Sequence, residues 1–503
     1  VNRTKATFAI DNYSVFKQQM LSWANQFNIC CFLDNHQYQT PYNSVECLLA
    51  VNAVSSFTST PNTLKDFTQF EQTKNDWLFG HVSYDFKNEL HGLTSNHHDG
   101  IQFPDFFFFQ PETVIELSKN EVVITCIENK PESIFTKITG IRNWELSKTP
   151  NPKPQIINND QRTTNNEQLT IENEQGTTNN EKRVTKNEQR ATNNEQRITS
   201  NEKRATSIEQ RVSSNEKRKT RNEQRKTNII TPRITKEIYL KTIEQLKKHI
   251  LRGDCYEINF CQEFYATNVT INPLETYQKL AEISPNPFSC FYKLEDKFLL
   301  CASPERYIKK QGTQIISQPI KGTFKRNVHN PEIDIANKNA LQNSSKDKAE
   351  NVMVVDLVRN DFSKICTEAS VKVDELFAVY TFPQVYQMIS TISGTVAPQT
   401  NLADVLAATF PMGSMTGAPK QKVMELTEQY EQTKRGIYSG CVGYIAPNKD
   451  FDFNVVIRSI TYNAQNQYLS YQVGGGITYN SHAESEYEEC LLKAEAMRRV
   501  LNS

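Results

Sequence analysis

Apolar and polar positions along this chain change rhythm twice, and the changes divide it into three parts. Residues 1–148 and 231–503 show apolar residues recurring with the periods of strands and helices, whereas 149–230 show almost none. In the first part, "NICCFLD" and "EVVITCIE" are apolar runs of strand length, and "DWLFGHVSYDF" and "FPDFFFFQ" are rich in aromatic residues. The last part opens with "TKEIYLKTIEQLKKHILRG". There Ile238, Leu240, Ile243, Leu246 and Ile250 recur at roughly helical spacing, and Gly253 supplies the stop. Strand-like runs follow in "CYEINFCQEFYA", "FSCFYKL" and "KFLLCASPERYIKK", and later in "GCVGYIAP", "FDFNVVIRSITYN" and "QYLSYQVGGGITYN". Helical patterns intervene near 332–359, 402–409 and 417–430, and a last helix is predicted at about 482–501. Strands and helices interleave without strict alternation. The predicted fold class is therefore α+β or mixed α/β, with extensive antiparallel sheet and flanking helices.

The middle part has its own period. From Asn158 to Thr227 the chain repeats every seven residues in ten copies, from "NNDQRTT" to "RNEQRKT". A coiled coil needs two apolar seams per heptad. Here apolar residues concentrate at the sixth position, which is as often Thr, Ala or Lys, and Asn and Thr disfavour helix interiors. The segment is expected to be a polar, largely disordered insert, with a solvent-exposed single helix as the competing reading.

Composition narrows the function classes. The 503 residues suffice for roughly two to four domains. With 57 Lys+Arg against 57 Asp+Glu, no broad electrostatic footprint for nucleic acid or an anionic membrane is expected. No apolar run reaches the length of a membrane-spanning helix, and the N-terminus lacks the apolar core of a signal peptide. Eleven cysteines without a CxxC pair suggest reduced, mostly buried thiols and a cytoplasmic setting. The eight histidines show no metal-ligand spacing.

Candidate chemistry lies in the last part. Glu486, Glu489 and Lys493 share one face of the C-terminal helix, and Asp347 and Glu350 share a face of another. Two such helices can share a hard divalent cation, although most carboxylate pairs are merely solvated faces. "VGGGIT" lets backbone N–H groups approach an anion, or is a strand bend; it lacks the dinucleotide fingerprint. "FPMGSMTGAPK" reads as a helix N-terminus without the Gly-Lys-Ser/Thr ending of a Walker loop. Glu305 in "SPERY" and Lys321 in the Pro- and Gly-punctuated "SQPIKGTFKR" could act as acid and nucleophile. Arg458, in the apolar "NVVIRSI", is either a carboxylate clamp or a structural ion-pair partner.

Taken together, "GDCYEINF", "PNPFSCF", "SPERY", "PIKGT", "KAENVMVVDLVRND", "GSMTGAP", "YSGCVGY", "DFNVVIRS", "GGGI" and "ESEYEEC" resemble the chorismate-utilising enzymes in their family order. The motifs cover nearly all of 231–503, the expected chorismate-binding catalytic domain. "DWLFGHVSYDF" is similar to the family's N-terminal region, here 1–148. The 149–230 insert does not belong to the pattern.

The resemblance implies roles. Glu350 and Glu489 would hold Mg²⁺ against the ring carboxylate of chorismate, with Lys493, Gly475 and Gly476 beside it. Tyr438 and Arg458 would hold the enolpyruvyl carboxylate, and Gly322 and Thr323 would line the ring pocket. Glu305 would protonate the departing hydroxyl at ring carbon 4, and Lys321 would add at carbon 2 until ammonia displaces it. A free amine is needed for that, so burial or Mg²⁺ is expected to lower the pKa of Lys321.

Position 321 discriminates within the family. Anthranilate, isochorismate and salicylate synthases typically carry a small residue there, whereas aminodeoxychorismate synthases commonly carry Lys. The resemblance therefore implies amination at carbon 4, on the p-aminobenzoate and folate route, with anthranilate synthase as the alternative. Glu257 replaces the lysine by which isochorismate and salicylate synthases activate water. No glutaminase region is visible, so ammonia is expected from a separate glutamine amidotransferase subunit. Family members can also hold tryptophan, and Pro287, Phe288 and Ser289 match one lining of that pocket. The other lining, "LDNHQYQTPYNS", matches loosely, with Asn35 where serine is common, which leaves a purely structural pocket as the alternative.

Overall fold

The computed structural model describes residues 2–38, 42, 46–141, 230–382 and 385–503, and the heptad segment lies outside the described residues. The described parts on either side of it form one compact unit. Strands from both share ladders: Ile29–Asp34 pairs with Phe288–Leu294, and Leu78–Val82 with Cys441–Ile445.

The apolar runs assemble into a branched antiparallel sheet. Phe106–Leu117, which contains the "FFFFQ" run, is the branch point. One arm leads from it through Cys47–Thr58, Ile29–Asp34, Phe288–Leu294, Lys297–Ser303, Ser459–Asn463 and Tyr468–Ile477 to Glu257–Ala266. The other leads through Leu78–Val82, Cys441–Ile445, Phe451–Asn454, Arg306–Gln311 and Gln314–Gln318 to Val385–Thr395, which carries Ile320–Lys325.

Burial on both sheet faces explains why these strands read as nearly continuous apolar runs. One core lies between the arms and joins Leu48, Tyr292, Leu299 and Cys301 of the first to Phe79, Val442 and Tyr444 of the second. Helices cover the outer faces. Tyr13–Ala24, Lys236–Arg252, Pro273–Ile283 and Ala483–Asn502 bury Met20, Leu246, Leu280 and Met497 against the first arm. Thr63–Lys74, Ser345–Ser363 and Leu402–Thr409 bury Phe67, Val358 and Leu406 against the second. Each such side chain contributes about 1.5–3 kcal/mol of apolar burial. The result is the expected mixed fold with antiparallel sheet and flanking helices.

Local differences have local causes. Helix Lys236–Arg252 is capped by Thr235 and stopped by Gly253 at φ +83°, but its buried face is Tyr239, Thr242, Ile243 and Leu246, and Ile238 is 50% exposed. The pattern near 332–359 is two helices, Pro331–Asn343 and Ser345–Ser363; the Ser344 side chain accepts from the N–H of Asp347 and starts the second. In the 417–430 pattern, Gly417–Ala418 pairs as strand with Glu257–Ile258, and helix begins only at Lys420. The Pro- and Gly-punctuated "SQPIKGTFKR" holds a strand, Ile320–Lys325, which pairs with Val385–Thr395 with its register shifting between Ile320 and Thr323. All eleven cysteines are free, ten of them buried. Among the described residues no helix is long and apolar enough to cross a membrane.

Candidate active site

The ends of the two sheet arms meet at one ion pair. Lys321, in the bulge of Ile320–Lys325, donates from Nζ to Oε1 of Glu257, at the start of Glu257–Ala266, at 2.5 Å. Bulges re-aim side chains, and Gly322 supplies the required backbone at φ +89°. The two side chains are 10% and 2% exposed, so this lysine is not a solvated charge. Oε2 of Glu257 is buried and has no hydrogen-bond partner. Burial pushes the Lys321 amine down, but Glu257, Glu350 and Glu305 together hold it above its ordinary value. The net direction is thus opposite to the lowering expected from sequence, because a buried amine facing several carboxylates is favoured as ammonium.

Glu305 follows a strand break at Pro304, and its backbone carbonyl accepts from the N–H of Val455 at 3.0 Å. Burial pushes its carboxyl up to about 7, against the opposing pulls of Ser414, Lys321, the Ile320 N–H and Arg458. A carboxyl so placed holds a proton near neutrality and can give it away. Arg458 sits at φ +51°, a conformation that non-glycine residues adopt mainly where surrounding structure enforces it. Burial lowers its guanidinium while Glu305 opposes that shift. The guanidinium makes no hydrogen bond among the described residues, which leaves its fork free for a carboxylate. Tyr438 is buried, and its hydroxyl accepts from Cys261 Sγ at 3.9 Å; burial pushes the phenol up.

Carboxylates from two helices face each other nearby. Lys346 Nζ lies 3.7 Å from Glu350, 3.2 Å from Glu486 and 3.9 Å from Glu489. Glu489 also pairs with Lys493 at 2.9 Å, and Lys493 donates to the Gly474 carbonyl at 2.9 Å. The Lys493 charge holds Glu489 down to about 2, whereas burial raises Glu350 to about 7. Glu350 Oε1 is buried without a hydrogen-bond partner. Among the described residues no three potential ligands form a complete cation cage. Mg²⁺ typically takes only one or two protein carboxylates, however, and Glu350 Oε1, with Lys346 at ion-pair distance but no hydrogen bond, fits such a partial ligand set together with Glu489.

The triple glycine makes room for this chemistry. It lies in the ladder between Tyr468–Ile477 and Glu257–Ala266. A Cβ on Gly476 would stand 2.6 Å from Glu257 Oε1 and 2.8 Å from Lys321 Nζ, and one on Gly475 would stand 3.3 Å from Glu486. The glycines thus admit side chains of neighbouring elements, and the stretch is neither a bend nor a dinucleotide loop. Thr323 is exposed two residues beyond Lys321 and pairs with Gln387. Pro287, Phe288 and Ser289 line a different cavity, partly open to solvent, with Asp34, Asn35, Arg306 and Asp452. It shares no lining residue with the Lys321 group.

Three participants escaped the sequence reading. Glu257 entered it only as a departure from a lysine, Ser414 only as part of "GSMTGAP", and Lys346 not at all. A charged residue opening an apolar strand, as in "GDCYEINF", was the available signal for Glu257. The pairing itself joins residues 64 positions apart.

Comparison with known proteins adds to this geometry. A family described as chorismate binding enzyme matches residues 28–499. The chain is 38% identical over 268 residues to aminodeoxychorismate synthase component 1 of Escherichia coli (strain K12), covering 53% of this chain and 58% of that protein. It is 34% identical over 267 residues to the protein of that name from Bacillus subtilis (strain 168), covering 53% and 56%. Anthranilate synthase component 1 of Saccharolobus solfataricus is 34% identical over 276 residues, covering 55% and 65%. The matched stretch thus spans 58% of the first of these relatives. Among solved structures, anthranilate synthase component I from Streptococcus pneumoniae TIGR4 is similar with a TM-score of 0.62 at 23% identity, covering 92% of this chain and 94% of that one. The menaquinone-specific isochorismate synthase of Escherichia coli is similar with a TM-score of 0.65 at 14% identity, covering 99% and 95%. These last two likenesses concern the fold alone.

Proposed function

The chain belongs to the chorismate binding enzyme family, and from that premise we propose that it is the large subunit of an aminodeoxychorismate synthase. It would convert chorismate and ammonia to 4-amino-4-deoxychorismate in the cytoplasm. The observation that carries this reading is Lys321: a buried amine, held at 2.5 Å by Glu257, at the position where anthranilate synthases typically have a small residue.

The residues divide the work. Arg458, with its free fork, binds the enolpyruvyl carboxylate beside Tyr438, and Lys493 with Gly475 and Gly476 borders the ring-carboxylate end. Glu350 and Glu489 would hold Mg²⁺, which when bound would neutralise the ring carboxylate and orient the ring. Glu305, its carboxyl near 7, gives a proton to the hydroxyl leaving carbon 4, so that it departs as water. The Lys321 amine bonds to carbon 2 as that C–O bond breaks. Ammonia then bonds to carbon 4 and the carbon 2–nitrogen bond breaks, returning the lysine. Ammonia would come from a separate glutamine amidotransferase. The rival product, anthranilate, requires amination at carbon 2, the atom that Lys321 addresses.

The test incubates the purified chain with chorismate, Mg²⁺ and ammonium. The expected product yields p-aminobenzoate only after a lyase is added, whereas direct anthranilate formation would overturn the reading. Lys321→Ala is expected to lose this product and the covalent adduct. A variant with wild-type turnover and product would remove the lysine from the mechanism.

A further inference from the structure

Lys321 cannot bond to carbon while it is an ammonium, because its lone pair then holds a proton. The charged groups around it are Glu257, Glu305, Glu350 and Glu489, with Arg458 beyond Glu305. The Glu257 carboxylate in contact with Lys321 favours the ammonium, and only a tenth of the lysine side chain is exposed, so bulk water has little access. Glu305 must carry a proton to do its own work. Glu257 is the carboxylate already in hydrogen-bond contact, at 2.5 Å, and its other oxygen is buried without a partner.

We propose that Glu257 is the base of this reaction: its Oε1 takes the proton that frees the Lys321 amine. This deepens the reading above and rests on Lys321 being the nucleophile. The steps balance. The Nζ–H bond breaks, an O–H bond forms on Glu257, and the ion pair becomes a neutral amine beside a neutral acid. The amine bonds to carbon 2 while Glu305 protonates the departing hydroxyl, which leaves a secondary ammonium adduct. Ammonia bonds to carbon 4, the carbon 2–nitrogen bond breaks, and its electron pair returns to Nζ as neutral amine. Glu257 gives its proton back to Nζ, and the new C4 ammonium reprotonates Glu305. Two carboxylates thus have opposite tasks, one releasing a proton to oxygen and the other taking one from nitrogen.

The experiment mixes the protein with chorismate without ammonia. Mass spectrometry then follows a mass gain of chorismate less one water, from pH 6.5 to 10. Wild type is expected to form the adduct at a rate that falls about tenfold per pH unit above about 7, because Glu305 then loses the proton it must give. Glu257→Gln is expected to form it about 10²-fold more slowly at pH 7.5, the range typical of a lost acid or base. Its rate should then stay nearly level above about pH 7, because the gain in free Lys321 amine below its solution value near ~10.4 offsets the loss of the Glu305 proton. Glu257→Ala with added formate provides a second readout, and recovery of adduct formation is expected because formate can fill the missing acceptor site. A purely structural role would leave the wild-type fall with pH in the variant and give no rescue. Lys321→Ala runs in parallel. If it loses the adduct while Glu257→Gln keeps the wild-type rate and the wild-type fall with pH, only the assignment of Glu257 is overturned. If Lys321→Ala still forms the adduct, the nucleophile assignment fails, and the role of Glu257 with it.

Discussion

Three consecutive glycines facing three different neighbours provide a graded test of the site. Methyl groups on Gly474, Gly475 and Gly476 are chemically identical perturbations, so differences in outcome report the surroundings. On Gly476 the new carbon would lie 2.6 Å from Glu257 Oε1 and 2.8 Å from Lys321 Nζ. Ordinary contact begins near ~3.5 Å, so the ion pair must give way by roughly 0.7–0.9 Å. Both atoms end flexible side chains, so the backbone survives, but the 2.5 Å hydrogen bond does not. Charge-assisted hydrogen bonds contribute about 1.5–3 kcal/mol, and a misplacement near 1 Å at a reacting atom costs about 10²-fold. Gly476→Ala is therefore expected to lower kcat about 10²-fold, with a stability loss of at most about 1.5–3 kcal/mol from the broken ion-pair bond. On Gly474 the methyl would meet the Phe260 carbonyl oxygen at 2.4 Å, inside the ladder itself. Overpacking against backbone costs about 1–3 kcal/mol, so Gly474→Ala should fall mainly in stability. On Gly475 the nearest atom is Glu486 Oε2 at 3.3 Å, so the smallest change is expected, chiefly a few-fold rise in KM for chorismate. The assay is steady-state amination with ammonium, alongside thermal unfolding of each variant. A Gly476→Ala enzyme within threefold of wild-type kcat, or a larger kcat loss in Gly475→Ala, would refute the reasoning.

Other measurements address the remaining groups. Glu305 sits near 7 in the fold against an ordinary value near ~4.3, so the folded state binds the extra proton between those values and loses stability as pH rises through them. Glu305→Gln should abolish turnover yet raise the unfolding temperature more at pH 8 than at pH 5, with a gain of at most about 4 kcal/mol; an equal shift at both pH values would contradict the burial argument. Arg458→Met removes the free fork and should raise KM for chorismate about 10²-fold with a smaller effect on kcat, as measured in steady-state kinetics. Lys346 stands among Glu350, Glu486 and Glu489, so Lys346→Met should tighten Mg²⁺ binding about fivefold in titration calorimetry, a modest gain because the lysine is partly exposed. Unchanged or weaker Mg²⁺ binding would show that Lys346 does not compete with a cation there.

Much was legible in the chain because it is a matter of period and spacing. Strand runs such as "NICCFLD", the helix stopped at Gly253 and the mixed fold class follow from local pattern, since burial on one or two faces imposes that pattern directly. The common face of Glu486, Glu489 and Lys493 follows from helical geometry alone, and the identity of Lys321 narrows the reaction through resemblance. Only the tertiary structure decided which charges meet. The split at Ser344, the exposure of Ile238 and the strand at "PIKGT" depend on what packs against them. Glu257 and Lys321 lie on different sheet arms, and a 2.5 Å contact between them depends on how the whole branched sheet closes. The protonation of Lys321 is likewise beyond one-dimensional reading. It is a sum of burial and of charges from Glu257, Glu305 and Glu350, which are brought together from separate elements of the fold.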